Sequence, residues 1–215
     1  DIWDWDMPSA PILADITVDG RKIKAVAAPT KQNWLYVFDR TTGKPVWPIE
    51  EKPVPAGNVP GEWYSPTQPI PTRPAPIEIQ KLTEADLIDF TPELHAQAVE
   101  LMKPYESVQV YTPARLDHEI VMTPGTTGSA NWPGASFDPQ TGMLYVPVIR
   151  NSVRTILYKP KDPLFAYDRK GEGALQNTNL ELPYLDVNPA RPLKEGDPSR
   201  LSVVKPPYGS VVALD

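Results

Sequence analysis

The chain opens on "DIWDWDMPSAPILADI", whose first six residues set three carboxylates, Asp1, Asp4 and Asp6, around two tryptophans, Trp3 and Trp5. A carboxylate beside large apolar rings can serve as a general base, because loss of water raises its affinity for a proton. The same residues also suit an exposed strand end with no chemistry, and spacing alone leaves both readings open. Other reactive groupings are scarce. The chain has no cysteine, which excludes thiol catalysis, disulfides and Cys-ligated zinc within it. Its two histidines, His95 and His118, stand in unrelated contexts, so a histidine metal site or triad is not expected and both read as surface residues.

Composition narrows the classes further. A net charge of -6 lacks the clustered Lys and Arg that neutralise phosphates, which argues against a nucleic-acid partner. No run of about 18 apolar residues is present to span a bilayer. With 215 residues, 40% of them hydrophobic, the chain can bury one sizeable core, yet 28 prolines against 12 glycines disfavour long helices. The expectation is a loop-rich, all-β protein. Because the sequence begins at Asp1 and stops at "VVALD", it is expected to be a fragment, incomplete at both ends.

The elements that must hold these residues show as strands. "KIKAVAAPT" and "WLYVFDRTTGKPVW" are β-rich runs separated by "TKQN". In "DRTTG", Asp39 can accept bonds from backbone amides and Gly43 can take a positive φ, so the chain is expected to fold back through a strand at "KPVW". The phrase returns in "ASFDPQTGMLYVPV", with Asp138, Thr141 and Gly142, and a third start, "GSVVALD", ends the chain. Such recurrence marks a repeat array, for which blades of four short strands are one solution. Two insertions are expected, at roughly residues 51–105 and 151–205. The first begins proline-dense, suiting an extended loop, and continues into a helix with Thr91 as N-cap, Pro92 in the first turn, and a docking stripe of Leu94, Ala98, Leu101 and Met102. The second reads as a surface excursion.

Several motifs in this order, "DIWDWDMPSAPILADI", "APTKQNWLYVFDRTTGKPVW", "SPTQPIPTRP" and "SANWPGASFDPQTGMLYV", resemble the second half of the pyrroloquinoline-quinone (PQQ)-dependent dehydrogenases, along the whole chain from Asp1 to Asp215. The likeness is to the glucose-dehydrogenase-like quinoproteins. It implies part of an eight-bladed β-propeller whose blades carry a tryptophan-docking repeat. Asp39, Thr42, Gly43 and Trp47 match that repeat, with Val37 at the position of the family's alanine, and Trp47 is read as packing between blades. In the second copy Val146 stands where the docking tryptophan would be. Trp3, Trp5, Trp34 and Trp63 receive no role.

Carried over position by position, the resemblance implies that Asp4 is the catalytic base and that Lys31 is the basic residue contacting the quinone oxygens. It implies that Asn131 and Trp132 line the cofactor pocket. Asp1 and Asp6 are left as structural. The implied reaction is oxidation of a sugar or alcohol hydroxyl, with PQQ and calcium or another divalent cation as cofactors. On the same resemblance Asp4 would be a weak calcium contact, and most metal ligands would lie upstream of Asp1. The electrons would pass to a respiratory acceptor, a quinone or cytochrome, in the periplasm, the full-length protein being either soluble or tethered to the inner membrane, and the fragment alone is expected to be inactive. These residue types fit the chemistry on general grounds: a base takes the hydroxyl proton, and a fixed cation stabilises charge that grows on the quinone oxygen as hydride arrives. The rival expectations are a non-catalytic propeller scaffold and a sugar-binding module.

Overall fold

A computed structural model describes residues 2–116, 118–158, 168–169, 182–186 and 200–215. Three strands, β1 (Ile12–Val18), β2 (Arg21–Pro29) and β3 (Leu35–Asp39), form an antiparallel sheet in that order. Asp19 (φ 49°) and Gly20 (φ 76°) join the first two, both in the left-handed region that a two-residue hairpin turn matching the strand twist requires. After β3 the expected turn forms. Asp39 Oδ1 accepts from the Thr41 amide at 2.8 Å and the Thr41 hydroxyl at 2.6 Å, while Gly43, at φ 71°, donates its N–H to the Asp39 carbonyl at 2.8 Å. The return strand at "KPVW" is reduced to one bridge, Phe38 to Pro45, flanked by the bonds Asp39 N–H to Lys44 O and Val46 N–H to Val37 O. Pro45 and Pro48 have no N–H with which to extend a ladder.

The proline-dense stretch is more regular than expected. β4 (Ile49–Pro53) pairs antiparallel with β5 (Thr67–Pro71), with Glu51 opposite Pro69 and Ile49 opposite Pro71. Pro53, Pro69 and Pro71 therefore fall at alternate positions, where no ladder donor is needed. The bonds continue on the other parity, as Val54 N–H to Pro66 O and Thr72 N–H to Pro48 O show. The helix α1 (Pro92–Met102) is capped as expected, the Thr91 hydroxyl accepting from the Leu94 amide at 3.2 Å. Its docking face is Leu94, Ala98, Val99 and Met102, packed with Leu82, Leu87 and Ile88; Leu101 turns towards solvent.

Beyond it, β6 (Glu106–Ser107) runs parallel to β7 (Ile120–Met122). β8 (Ser136–Phe137) and β9 (Leu144–Ile149) are joined by the second Asp turn, in which Asp138 accepts from Gln140 N–H at 2.9 Å and the Thr141 hydroxyl at 2.7 Å, with Gly142 at φ 78°. β10 (Val153–Thr155) lies antiparallel on the free side of β7. β11 (Leu157–Tyr158) pairs with β12 (Asp168–Arg169), and β13 (Tyr184–Asp186) with β14 (Arg200–Ser202). β15 (Gly209–Leu214) pairs antiparallel with β9 from Gly209 opposite Ile149 to Leu214 opposite Leu144. The third recurrence of the repeat phrase thus belongs to the same sheet as the second. The second expected insertion lies largely outside the described residues. Its described parts are not purely superficial, since Leu157, Leu185, Val203 and Val204 are buried.

The first sheet and the β8–β9–β15 sheet share a core. Ala25 and Ala27 of β2, Leu35 and Val37 of β3, and Leu144, Val146 and Val148 of β9 alternate inward at period two and meet Ile77 and Ala130. Half-buried Trp47 packs against this cluster, as a residue between two sheets should, and fully buried Val146 joins it without an aromatic ring. Among the described residues no helix is long and apolar enough to cross a membrane.

Candidate active site

The opening segment alternates in burial. Trp3 and Trp5 are 2% and 3% exposed, whereas the intervening carboxylates of Asp4 and Asp6 face outward. The two indoles stack at 6.1 Å, and Tyr111 meets both edge-on at 5.5 and 5.6 Å. Tyr64 meets Trp3 in the same manner at 5.4 Å. The indole N–H groups of Trp3 and Trp5 donate to the carbonyls of Thr112 and Gly125, each at 3.2 Å. Both tryptophans are therefore anchors, and they hold the backbone between them in a fixed path. On that path Asp4 adopts φ 61°, a left-handed conformation that aspartate tolerates better than most residues.

Lys31 arrives from the turn between β2 and β3. The Thr30 and Trp34 backbones close this turn, with Thr30 N–H donating to Trp34 O at 3.0 Å and Trp34 N–H to the Thr30 hydroxyl at 3.1 Å. Three segments pin it from outside. From residues 77–80, Ile77 N–H donates to Asn33 O and the Gln80 side chain to Gln32 O, while the Asn33 side chain donates to Ile79 O at 2.8 Å. From the opening segment, Trp5 O accepts from the Gln32 side chain at 2.9 Å. From the loop before β8, Ser129 N–H donates to Lys31 O at 3.1 Å. Gly128, at φ 72°, lies flat against Lys31: a Cβ there would come within 2.6 Å of the Lys31 Cα.

The result is a buried lysine, 8% exposed, whose ammonium reaches the acidic segment. Its Nζ donates to the Asp4 carbonyl at 2.9 Å and to Asp6 Oδ1 at 2.5 Å, and stands 3.9 Å from the Asp4 carboxylate. The hydrogen bond from Lys31 holds the Asp6 carboxyl below its ordinary range. Asp4 and Lys31, 27 positions apart, are thus brought together as expected. Asp6, read from the sequence as structural, is the closer partner of the cation. The signal for it was the alternation itself: burying Trp3 and Trp5 puts residues 4 and 6 on one side of the chain.

The two remaining expected residues stand on the same loop as Gly128 but are held differently. The Asn131 side chain donates to Thr127 O at 2.6 Å and accepts from the Trp132 amide at 2.8 Å, and its carbonyl accepts from the Ser9 hydroxyl at 2.5 Å. Asn131 organises the loop. The Trp132 ring is 83% exposed. The histidines behave as surface residues: His118 meets Glu106 at 2.7 Å, and half-buried His95 lies 3.7 Å from Glu84 and contacts Ile88 O. Asp1 lies outside the described residues.

The model for the glucose/ethanol/alcohol dehydrogenase β-propeller domain, a PQQ family, matches residues 1–215. The chain belongs to this family. It is similar over its whole length to the glycerol dehydrogenase large subunit of Gluconobacter thailandicus, at 31% identity and 30% of that protein. It is likewise similar to the quinate/shikimate dehydrogenase (quinone) of Acinetobacter baylyi and to the quinoprotein glucose dehydrogenase of Escherichia coli. Each is 32% identical over the full chain, which covers 27% of either relative. Among solved structures, a europium-containing methanol dehydrogenase superposes with a TM-score of 0.43 at 19% identity, over 74% of this chain and 21% of the other. The chain therefore spans less than a third of the length of the relatives named here.

The family's cofactor is a quinone, whose oxygens accept hydrogen bonds. An ammonium has three donors, and in Lys31 two are engaged by Asp4 O and Asp6 Oδ1, so one remains for a quinone oxygen. The residues present fit that role. A calcium ion takes about six to eight oxygen ligands, and no group of three or more His, Cys, Asp or Glu side chains converges among the described residues. The donor set here does not by itself make a metal site, and Asp4 is at most a single contact.

Proposed function

We propose that this protein carries the base and the quinone-facing cation of an eight-bladed PQQ-dependent dehydrogenase that oxidises a sugar or alcohol. The observation supporting this most directly is the buried Lys31 ammonium, fixed against the Asp4 backbone with the Asp4 carboxylate at 3.9 Å. PQQ, when bound, supplies the hydride-accepting carbon. Asp4 takes the proton from the substrate hydroxyl through its carboxylate, which is 73% exposed here and open to substrate. Lys31 presents its remaining N–H where negative charge grows in the transition state, and being held in advance it needs no reorganisation. Asn131 shapes the loop that carries Trp132, and the two would line the cofactor pocket. A divalent cation, calcium in the simplest case, is held mainly by residues outside those described.

The relatives named above act on glycerol, quinate or shikimate, and glucose at nearly equal identity, which leaves the substrate class as a polyol, cyclitol acid or sugar. In this reading the electrons pass to a respiratory quinone or cytochrome in the periplasm, the full-length protein being either soluble or tethered to the inner membrane. The test is dye-linked dehydrogenase activity of the complete polypeptide, reconstituted with PQQ and calcium, over a panel of sugars and alcohols. Asp4→Asn is expected to lose about a hundredfold or more in kcat while still binding PQQ. If the wild type neither binds PQQ nor turns over any substrate, the proposal fails and a non-catalytic propeller takes its place.

A further inference from the structure

Two carboxylates compete for one ammonium, and the geometry divides them unequally. Asp6 Oδ1 sits at 2.5 Å from Lys31 Nζ, whereas the nearest Asp4 carboxylate oxygen is at 3.9 Å, beyond hydrogen-bond reach. Asp4 contributes its backbone carbonyl instead, at 2.9 Å. The lysine stem cannot swing between them freely, because Gly128 lies against its Cα, Cβ and Cγ, and the side chain is only 10% exposed.

We propose that Asp6 is the positioning residue of this site: its carboxylate takes a hydrogen bond from the Lys31 ammonium and anchors it, so that the Asp4 carboxylate, within ion-pair distance but not hydrogen-bonded to the cation, is available as base. This rests on the assignment of Asp4 and Lys31 made above. A base bonded directly to a cation would be a poorer proton acceptor, since the cation stabilises its charged form. Asp6 supplies the hydrogen-bonded counter-charge two residues away, on the same side of the tryptophan anchors, and the Asp4 carboxylate stays clear of a direct bond to the ammonium. Asp6 touches neither substrate nor cofactor in this role; it acts through Lys31.

The test reads Lys31 directly and does not need the cofactor. In the full-length apoprotein, the rate at which Lys31 is acylated by an N-hydroxysuccinimide ester is followed by peptide mass spectrometry. Asp6→Asn is expected to raise that rate about tenfold, the loss of one charge-assisted hydrogen bond, and Asp6→Glu to restore most of the protection. Asp4→Asn is expected to leave it within about twofold, since its carbonyl bond to Nζ comes from the backbone. The Asp6 side chain is 61% exposed, so the substitution removes little packing, and Asp6→Ser repeats the measurement if the Asn variant folds poorly. In the holoenzyme, Asp6→Asn is expected to lower kcat about tenfold with the substrate KM unchanged, and Asp6→Glu to recover part of it. If Asp4→Asn exposes Lys31 and Asp6→Asn does not, the proposal is overturned. If labelling follows Asp6 but no form of the protein oxidises any substrate, it is the dehydrogenase reading that has failed, and the pairing of Asp6 with Lys31 stands.

Discussion

The Lys31 turn and the Asn131 loop touch each other, and both carry residues proposed above to face the cofactor, yet they are held differently. The Lys31 turn is buried and bonded to three segments distant in sequence, so its position is a property of the whole fold. The Asn131 loop is tied to the fold at its Ser129 end, through Lys31 and Ile149, but at Asn131 and Trp132 it is held by the Asn131 side chain bonding to Thr127 and Trp132 and by Ser9, and its aromatic ring is in solvent. A cation that must stabilise a transition state needs the first kind of support, because a misplaced charge loses most of its effect. An aromatic surface that packs on a flat ligand tolerates the second.

Gly128 is where this contrast breaks most readily. Gly128→Ala must both place a side chain at φ 72° and push against the Lys31 backbone, with a predicted cost of about 2–4 kcal/mol in chemical denaturation and a displaced ammonium. If stability is unchanged, the turn is not locked as described. Removing the Asn131 side chain should cost less: Asn131→Ala loses two local hydrogen bonds, about 1–2 kcal/mol, without altering how readily Lys31 is acylated. A change in Lys31 labelling would show the two regions to be coupled.

Acid separates them more gently. The folded Asp6 carboxyl is held below its ordinary value of 3.8, so its contribution to stability is present above that pH and is lost as pH falls through the lower, folded value. The effect is small because the pair is largely in solvent on the Asp6 side. Protein NMR should show the Lys31 Nζ environment changing in that acidic range while the Trp132 indole signal stays constant, since among the described residues no titratable side chain hydrogen-bonds Asn131 or Trp132. The smallest expected effect on stability is that of Trp132→Ala, under about 0.5 kcal/mol, because the ring is 83% exposed. A loss of PQQ affinity in the same variant, read by fluorescence titration of the full-length protein, would support the pocket role, and unchanged affinity would remove it.

What could be read in advance followed locality. The two Asp turns and the Thr91 cap depend on residues a few positions apart, and each forms as expected. The Asp-Gly hairpin between β1 and β2 is equally local, written in "VDGRK". Misreadings arose where the outcome depends on a distant partner. The stretch rich in proline looks irregular until the register with β5 shows its prolines sharing one parity. "GSVVALD" looks like a new unit until it is seen paired with β9.

The sequence by itself determined the turns, the helix cap, the alternation that sets Asp4 and Asp6 on one side of two buried tryptophans, and the family. These are written in types and short spacings, which the backbone converts to geometry directly. Only the tertiary structure decided which carboxylate holds Lys31, that Gly128 immobilises it, and that Trp132 stands in solvent. Each of these depends on ångström differences between segments from about 25 to nearly 100 residues apart, and such differences are set by packing, which no short stretch of sequence encodes.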